Sequence, residues 1–428
     1  MNQNKKVLVL GAGIAGITTA IGLKKLGLNV TIFYKPRPFI SYEGFSEKTK
    51  QGLVSSSCIN ASKLLVEQSV RNSNWASNSK NVNYEYVVCR ADLDKALLED
   101  AKINGIELYE ATVVGAVDCS NQKPKITYKK NNEKVEISVD FIVDARGRFT
   151  PFKDEYISGP KSFSLLQELK MGDYTQNKTS IDSTQDGWIW QAYVGNKKGY
   201  IQFTCDEELA TKINDYEQLL EILKIQTANF WSLEDAKPVG KIVKRDSFSK
   251  IHKEIINNKM ILIGDSASSI DPLSGNGAFQ AMSMSSIAPF VINSVGAMYF
   301  AYLYFGSLIA GNLLTLYFHK DEYYYRAVGA SGAVMGIIYS AILLEPNLYM
   351  YGFIPGYIFG FAYLLFSIYG MKAKNDNIGH VAHFGGAIGG FVITLVKFPF
   401  LITEEPKTVM ALLVPIVILF IMAKMKKI

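Results

Sequence analysis

Apolar positions fall into two patterns along this chain, and the pattern changes near residue 296. Ahead of that point the apolar runs are short. Residues 7–10 form an unbroken apolar block of the kind a strand buried on both faces needs, and Gly11-Ala-Gly13-Ile-Ala-Gly16 follows at once. Ile17, Ala20, Ile21, Leu23 and Leu26 then recur at helical spacing up to Gly27, and residues 29–34 read as a second strand. Behind residue 296 the runs lengthen. Residues 272–318 hold no charged side chain, and residues 296–318 alone suffice to cross a hydrocarbon layer about 30 Å thick. Apolar segments at 327–344, 350–371, 378–396 and 409–422 bring the expectation to five crossings.

Composition sharpens this division. Of the 45 Lys and Arg and 39 Asp and Glu, 69 lie in residues 1–295 and only 15 in residues 296–428. We therefore expect a soluble module over 1–295 and a membrane module over 296–428. The net charge of +6 is spread along the chain, and nothing points to a nucleic-acid partner. The closing Lys424-Met-Lys-Lys427 reads as a solvated end or as a contact with anionic lipid head groups. Cys58, Cys89, Cys119 and Cys205 show no CxxC spacing, so no metal site is expected and a reducing cytoplasm suits them. The basic start followed by residues 7–10 is too short and too soon broken by glycine for a signal peptide.

Strand, glycine turn and helix together give the GxGxxG its meaning. Gly11 permits the tight turn, Gly13 lets a pyrophosphate approach the backbone, and Gly16 lets helix and strand pack closely, with phosphate at the helix N-terminus. An acidic residue is expected at the end of the second strand to hold the ribose hydroxyls. This chain has Tyr34 followed by Lys35 there, leaving the Tyr34 hydroxyl as the candidate.

Three further segments bear on the cofactor: Arg90-Ala-Asp-Leu-Asp-Lys, Phe141-Ile-Val-Asp144-Ala-Arg-Gly147-Arg148 and Met260-Ile-Leu-Ile-Gly264-Asp265. With the glycine turn, in this order, they resemble the FAD-dependent monooxygenase and flavin-dependent halogenase superfamily over residues 5–295. The resemblance implies an α/β Rossmann-type FAD-binding domain with part of a substrate domain, and FAD as cofactor. It also implies Arg90 beside the flavin, Asp265 of the Gly264-Asp265 turn on the ribityl chain, and the loop Asp271-Pro-Leu-Ser-Gly275-Asn-Gly277 around the isoalloxazine, where backbone N–H groups meet its electron-rich edge. Asp186-Gly-Trp188-Ile-Trp190-Gln191 is similar to the tryptophan pair of the halogenase branch but lacks its proline, and packing of a sheet accounts for it equally. No lysine stands out as catalytic, so the small-molecule substrate stays unnamed. Relatives continue well past the flavin loop, which makes this module C-terminally truncated in expectation.

In the rear module, Gly329-Ala-Ser331-Gly-Ala-Val-Met-Gly336 and Gly379-His380-Val-Ala-His383-Phe-Gly-Gly386-Ala-Ile-Gly-Gly390 open two apolar segments. Together they resemble the rhomboid intramembrane serine proteases over residues 297–398. The resemblance implies an all-α multi-pass transmembrane bundle with Ser331 as nucleophile and His383 as its general base. A serine at a helix start has free N–H groups nearby for an oxyanion, and a histidine on a neighbouring helix can take its proton. Gly332-x-x-x-Gly336 and Gly386-x-x-x-Gly390 let two helices approach closely, although such motifs also serve plain helix packing. Full rhomboids carry two earlier helices that add a histidine and an asparagine to the oxyanion hole. Of the four histidines here only His252 precedes the first crossing, so the module is N-terminally truncated in expectation.

The expected whole is a bacterial inner-membrane fusion, with the lipid bilayer and a transmembrane protein substrate as partners of the rear module and the flavin module in the cytoplasm. That orientation puts Ser331 and His383 near the outer face but leaves Lys320, Arg326, Lys372 and Lys374 outside, against the positive-inside tendency. Two alternatives stand beside the protease reading: a flavoprotein oxidoreductase on a proteolytically inactive anchor, and a rearranged fusion with neither activity.

Overall fold

The computed structural model describes residues 5–425 apart from 76–77, 120–122, 131–132, 152–154, 173–177, 227–235, 256–258, 270–271, 273–277, 279–290, 292–296, 321–330, 347, 351–353 and 374–378. Contacts divide the chain into two units, residues 1–255 with 259–282, and residues 256–258 with 283–428.

At the centre of the first unit is a parallel sheet of five strands, ordered Met260–Leu262, Phe141–Asp144, Lys6–Leu10, Asn29–Tyr34, Glu107–Glu110. Alternate residues face opposite sides of a strand, so each strand feeds two cores. Val7, Val9, Val30, Ile32 and Val143 pack under the helices Ile14–Lys25 and Arg90–Ile103, against Ile17, Ile21, Leu93 and Leu97. Leu8, Leu10, Phe33 and Ile142 face the other way, onto the antiparallel strands Thr112–Asp118, Lys125–Lys130 and Glu133–Ser138. Burial on both faces explains why residues 7–10 carry no polar residue.

A second sheet of eight strands is ordered Lys237–Asp246, Ser162–Lys170, Lys198–Asp206, Gly187–Gly195, Lys178–Ser183, Ser69–Trp75, Asn78–Cys89, Tyr42–Phe45. Its neighbours are antiparallel except for one join, where Lys178–Ser183 runs parallel to Ser69–Trp75. Leu165, Ile189, Ile201 and Phe203 on one face are covered by the helix Tyr216–Gln226 through Leu219 and Leu223. Trp188, Trp190, Ile181 and Tyr200 pack on the other.

The second unit is helical: Ala297–His319, Ser331–Leu344, Gly356–Ala373, His380–Lys397, Leu401–Glu404 and Pro406–Lys424. Among the described residues two of these, His380–Lys397 and Pro406–Lys424, are long and apolar enough to cross a membrane, and Ser331–Leu344 is apolar but shorter. The other expected crossings coincide with the helices Ala297–His319 and Gly356–Ala373 and with Ser331–Leu344. Small residues set the packing. A Cβ on Gly386 would fall 1.9 Å from the Gly332 carbonyl oxygen, and one on Gly390 would fall 2.0 Å from that of Gly336. The two GxxxG motifs therefore interlock backbone to backbone, as their spacing predicts.

Candidate functional site

Three turns converge at the carboxyl ends of the parallel strands. Gly11 follows the first strand with φ +106°, a conformation open to glycine, and its N–H donates to the Phe33 carbonyl at 2.7 Å. A Cβ on Gly16 would lie 2.0 Å from the Gly11 carbonyl oxygen, so helix and strand close on each other only with glycine there. Gly13 is different. Among the described residues a Cβ on it would meet nothing within 4 Å, and as N-cap of the helix Ile14–Lys25 it offers no side-chain cap to the first N–H groups. Space beside Gly13 and the aligned dipole at the start of this helix suit an anion.

The second turn, Gly147–Phe149, leaves the Phe141–Asp144 strand, and the third, Gly264–Ser266, leaves Met260–Leu262. Both Gly147 and Gly264 have positive φ, +63° and +56°. Gly147 N–H donates to Ser266 Oγ at 2.7 Å, which locks the two turns together. A Cβ on Gly264 would come within 3.0 Å of the Ala15 Cβ, which brings the third turn against the start of the glycine helix. Buried Asp144 holds Arg146, and Arg148 reaches Asp265 at 3.3 Å. Asp265 keeps 54% of its side-chain surface open, yet the protein packed around it pushes its carboxyl above the usual range, with Arg148 opposing.

Arg90 opens the helix Arg90–Ile103 and points inward. Its guanidinium pairs with Glu43 at 2.8 Å and Asp94 at 3.0 Å, and its Nε, buried, has no hydrogen-bond partner among the described residues. Burial pulls its pKa down, but the two carboxylates outweigh that and hold it above the ordinary guanidinium value. Tyr34 ends its strand half-buried against the helix-side core, and its carbonyl accepts from Ala111 N–H. Gly275, Gly277 and Asp271 lie outside the described residues. Trp188 and Trp190 are buried in the eight-stranded sheet, with Trp190 Nε1 donating to buried Glu85 at 3.0 Å.

In the helical unit, Ser331 is the first residue of its helix and His383 stands in the first turn of His380–Lys397. A Cβ on Gly332 would lie 2.8 Å from the Ala382 carbonyl oxygen, so both candidates adjoin one close contact at the same end of the helix pair. Tyr363 Oη lies 2.8 Å from His383 Nδ1. A hydrogen bond between Ser331 and His383 is not among those joining described residues. Sequence reasoning missed Glu43, Arg148 and Tyr363 as site neighbours. Arg148 sat inside a motif already singled out, whereas Glu43 and Tyr363 carry no local signal.

A parallel sheet with a glycine turn opening a helix and two further turns at its carboxyl edge defines a dinucleotide-binding flavoprotein fold. Residues 39–291, more than half of the chain, match the tryptophan halogenase family, and the chain belongs to it. Residues 278–400 match the rhomboid domain, which brings a membrane-embedded region. A tryptophan 2-halogenase of Chondromyces crocatus is 22% identical over 335 residues, covering 68% of this chain and 62% of that protein. A flavin-dependent halogenase, armH2, of Armillaria mellea is 22% identical, covering 64% of this chain and 63% of that protein. The chain thus spans less than two thirds of the length of these relatives. Among solved structures, the peptidyl tryptophan dihydroxylase QhpG is 25% identical with a TM-score of 0.57, covering 80% of this chain and 75% of that one. The flavin-dependent brominase Bmp2 is 17% identical with a TM-score of 0.59, covering 93% and 99%. FAD is the cofactor of this family, and the space beside Gly13 fits a dinucleotide.

Proposed function

We propose that the chain is an FAD-dependent oxidoreductase whose flavin module is joined to a rhomboid-like membrane domain. One observation carries this reading: the space at Gly13 and the Gly264–Asp265 turn meet at the carboxyl edge of the parallel sheet, with Arg90 and Glu43 within electrostatic reach of Asp265. Gly11, Gly13 and Gly16 form the diphosphate turn, and the N–H groups of the helix after Gly13 bind its charge. Asp265 offers a carboxylate for ribityl hydroxyls, steered by Arg148. Arg90, pinned by Glu43 and Asp94, presents an immobile positive charge with one N–H unspent among the described residues. Tyr34 stands at the ribose end, and Gly275 and Gly277 belong to the flavin loop in this reading. When bound, the flavin supplies the electron-transfer chemistry, and the protein supplies orientation and electrostatics. The substrate is a small molecule. Purified protein reconstituted with FAD should show a flavin spectrum that Asp265→Ala and Gly13→Val weaken. A wild-type chain that takes up no FAD under any condition would overturn the proposal.

A second reading concerns the rhomboid-like unit as a serine endopeptidase acting on transmembrane proteins within the bilayer. Interlocked glycines and the Tyr363–His383 contact support it. Ser331 would attack at the start of its helix, His383 Nε2 would take the proton, and Tyr363 would hold the ring through Nδ1. The outward apolar positions Ile309, Leu313, Leu316 and Tyr317, each more than half exposed, support a multi-pass unit bathed in lipid, with the flavin module on the cytoplasmic side of a bacterial inner membrane. Labelling by a fluorophosphonate probe, lost in Ser331→Ala and in His383→Ala, is the expected outcome. Absence of labelling in inserted wild-type protein leaves the unit as an anchor.

A further inference from the structure

Beside the Gly264–Asp265 turn lies a cluster of charges in which the flavin reading gives Arg245 and Arg37 no role. Arg245, near the end of the strand Lys237–Asp246, has its guanidinium carbon 4.7 Å from the ring centres of both Phe39 and Phe149. Arg37 lies over the same Phe39 ring at 5.6 Å. Arg148, next in sequence to Phe149, reaches Asp265 at 3.3 Å and Asp246 at 3.5 Å.

Among the described residues of this cluster the ion pairs leave one cation over. Arg90 takes Glu43 and shares Asp94 with Arg37, at 3.0 Å and 3.1 Å. Arg148 and Lys250 share Asp246, and Arg148 alone takes Asp265. Arg37, Arg90, Arg148, Arg245 and Lys250 thus face Glu43, Asp94, Asp246 and Asp265. Among the described residues the Arg245 guanidinium makes no hydrogen bond or ion pair and lies over the two rings. Stacking fixes a guanidinium plane while leaving its edge N–H groups unspent, ready for a forked acceptor. Partial burial pulls the Arg245 pKa below its ordinary value, Asp246 opposes, and Arg37 and Arg148 pull it further, so the cluster gains by taking up negative charge. Phe149 remains 60% exposed, which leaves apolar surface beside Arg245 for a flat base.

We infer that Arg245, held between Phe39 and Phe149 and flanked by Arg37 and Arg148, binds a phosphoryl group of a nucleotide. A dinucleotide fits better than a simple carboxylate, because the adjoining Gly264 turn lies against the start of the glycine helix, within 3.0 Å of Ala15 by the measure above. The inference rests on the dinucleotide role proposed for that helix. Two sources share the chemistry: the diphosphate of FAD itself, and a pyridine dinucleotide that delivers electrons to the flavin.

The test uses the full chain purified in detergent, as wild type, Arg245→Gln and Arg245→Lys. FAD binding to the apoprotein is followed by flavin fluorescence, NADPH and NADH binding by calorimetry, and displacement of each by inorganic pyrophosphate. Arg245→Gln should weaken one nucleotide by about ten- to hundred-fold, and Arg245→Lys should recover part of the loss. A loss confined to FAD assigns the phosphoryl group to the cofactor, and a loss confined to NADPH or NADH assigns it to a reductant. Binding of all three nucleotides within about two-fold of wild type, in folded Arg245→Gln, overturns the inference. Should that variant fail to fold, failure of pyrophosphate to displace either class of nucleotide from wild type overturns it equally. If wild type takes up no FAD, the flavin proposal fails, while the pyridine-nucleotide and pyrophosphate arms still decide Arg245.

Discussion

Gly13 and Gly16 stand three residues apart in one turn, yet the structure gives them separate jobs that a pair of substitutions can pull apart. In Gly16→Ala the new methyl would lie 2.0 Å from the Gly11 carbonyl oxygen, where ordinary contact begins at 3.4 Å. Backbone cannot rotate away, so helix and strand must part by about 1.4 Å, an overpacking that costs about 1–3 kcal/mol. For a unit of this size that lowers the melting temperature by roughly 2–10 °C. Gly13→Val adds its side chain into space with nothing within 4 Å among the described residues, at an N-cap with φ −74° and ψ −178°, extended backbone that valine adopts freely. Its melting temperature should stay within about 1 °C of wild type in the absence of FAD. FAD affinity should fall by about thirty-fold or more, because the side chain fills the place a phosphate needs to reach charge-assisted N–H bonds worth about 1.5–3 kcal/mol each. Thermal melts of apoprotein, followed by tryptophan fluorescence, and FAD titrations give both numbers. Wild-type FAD affinity in Gly13→Val would refute the anion site at Gly13. Wild-type stability in Gly16→Ala would refute the packing argument.

Two more predictions follow from contacts already described. Gly386→Ala should loosen the helical unit in detergent by about 1–3 kcal/mol, because its methyl would sit 1.9 Å from the Gly332 carbonyl, whereas Gly379→Ala, which would meet only the Ala382 Cβ at 3.9 Å, should melt as wild type. Burial pushes the thiols of Cys58 and Cys205 up to about 12, so both remain protonated at pH 8. Alkylation by iodoacetamide followed by mass spectrometry should find each at least about a thousand-fold slower in folded protein than in urea, and equal rates would show that the burial is wrong.

Where a sequence signal rests on backbone geometry, it survives into the fold. The glycine turn was legible because only glycine tolerates φ +106° at Gly11 and the approach at Gly16, and the spacing of two GxxxG motifs fixed which glycines meet. Partners brought together across long separations were not legible. Arg90 finds Glu43 because the strand it follows pairs antiparallel with that of Glu43 at the edge of the eight-stranded sheet, and Arg148 finds Asp265 across more than a hundred residues because the parallel sheet aligns the ends of strands that are distant in sequence. In the rear unit hydropathy carries further than the described residues test. It gave five crossings, and two helices among the described residues meet the length and composition required. Tyrosines, glycines and a lysine in Gly356–Ala373 dilute that segment, while its position as a helix was read correctly.

The strand Met260–Leu262 closes one edge of the parallel sheet by pairing with Phe141–Asp144, and it lies close in sequence to the helix that starts at Ala297. Chains fold from the N-terminus as they are made, and parallel pairing waits for its most distant partner. During synthesis, therefore, the dinucleotide sheet keeps an open edge until almost the whole first unit has left the ribosome, and by then the first apolar helix is next to emerge. An unpaired strand edge and an apolar helix are both binding sites for the wrong partner. Delayed capture of that helix by a membrane would expose both at once, so yield of soluble-unit fold should depend on how quickly the ribosome is brought to a bilayer.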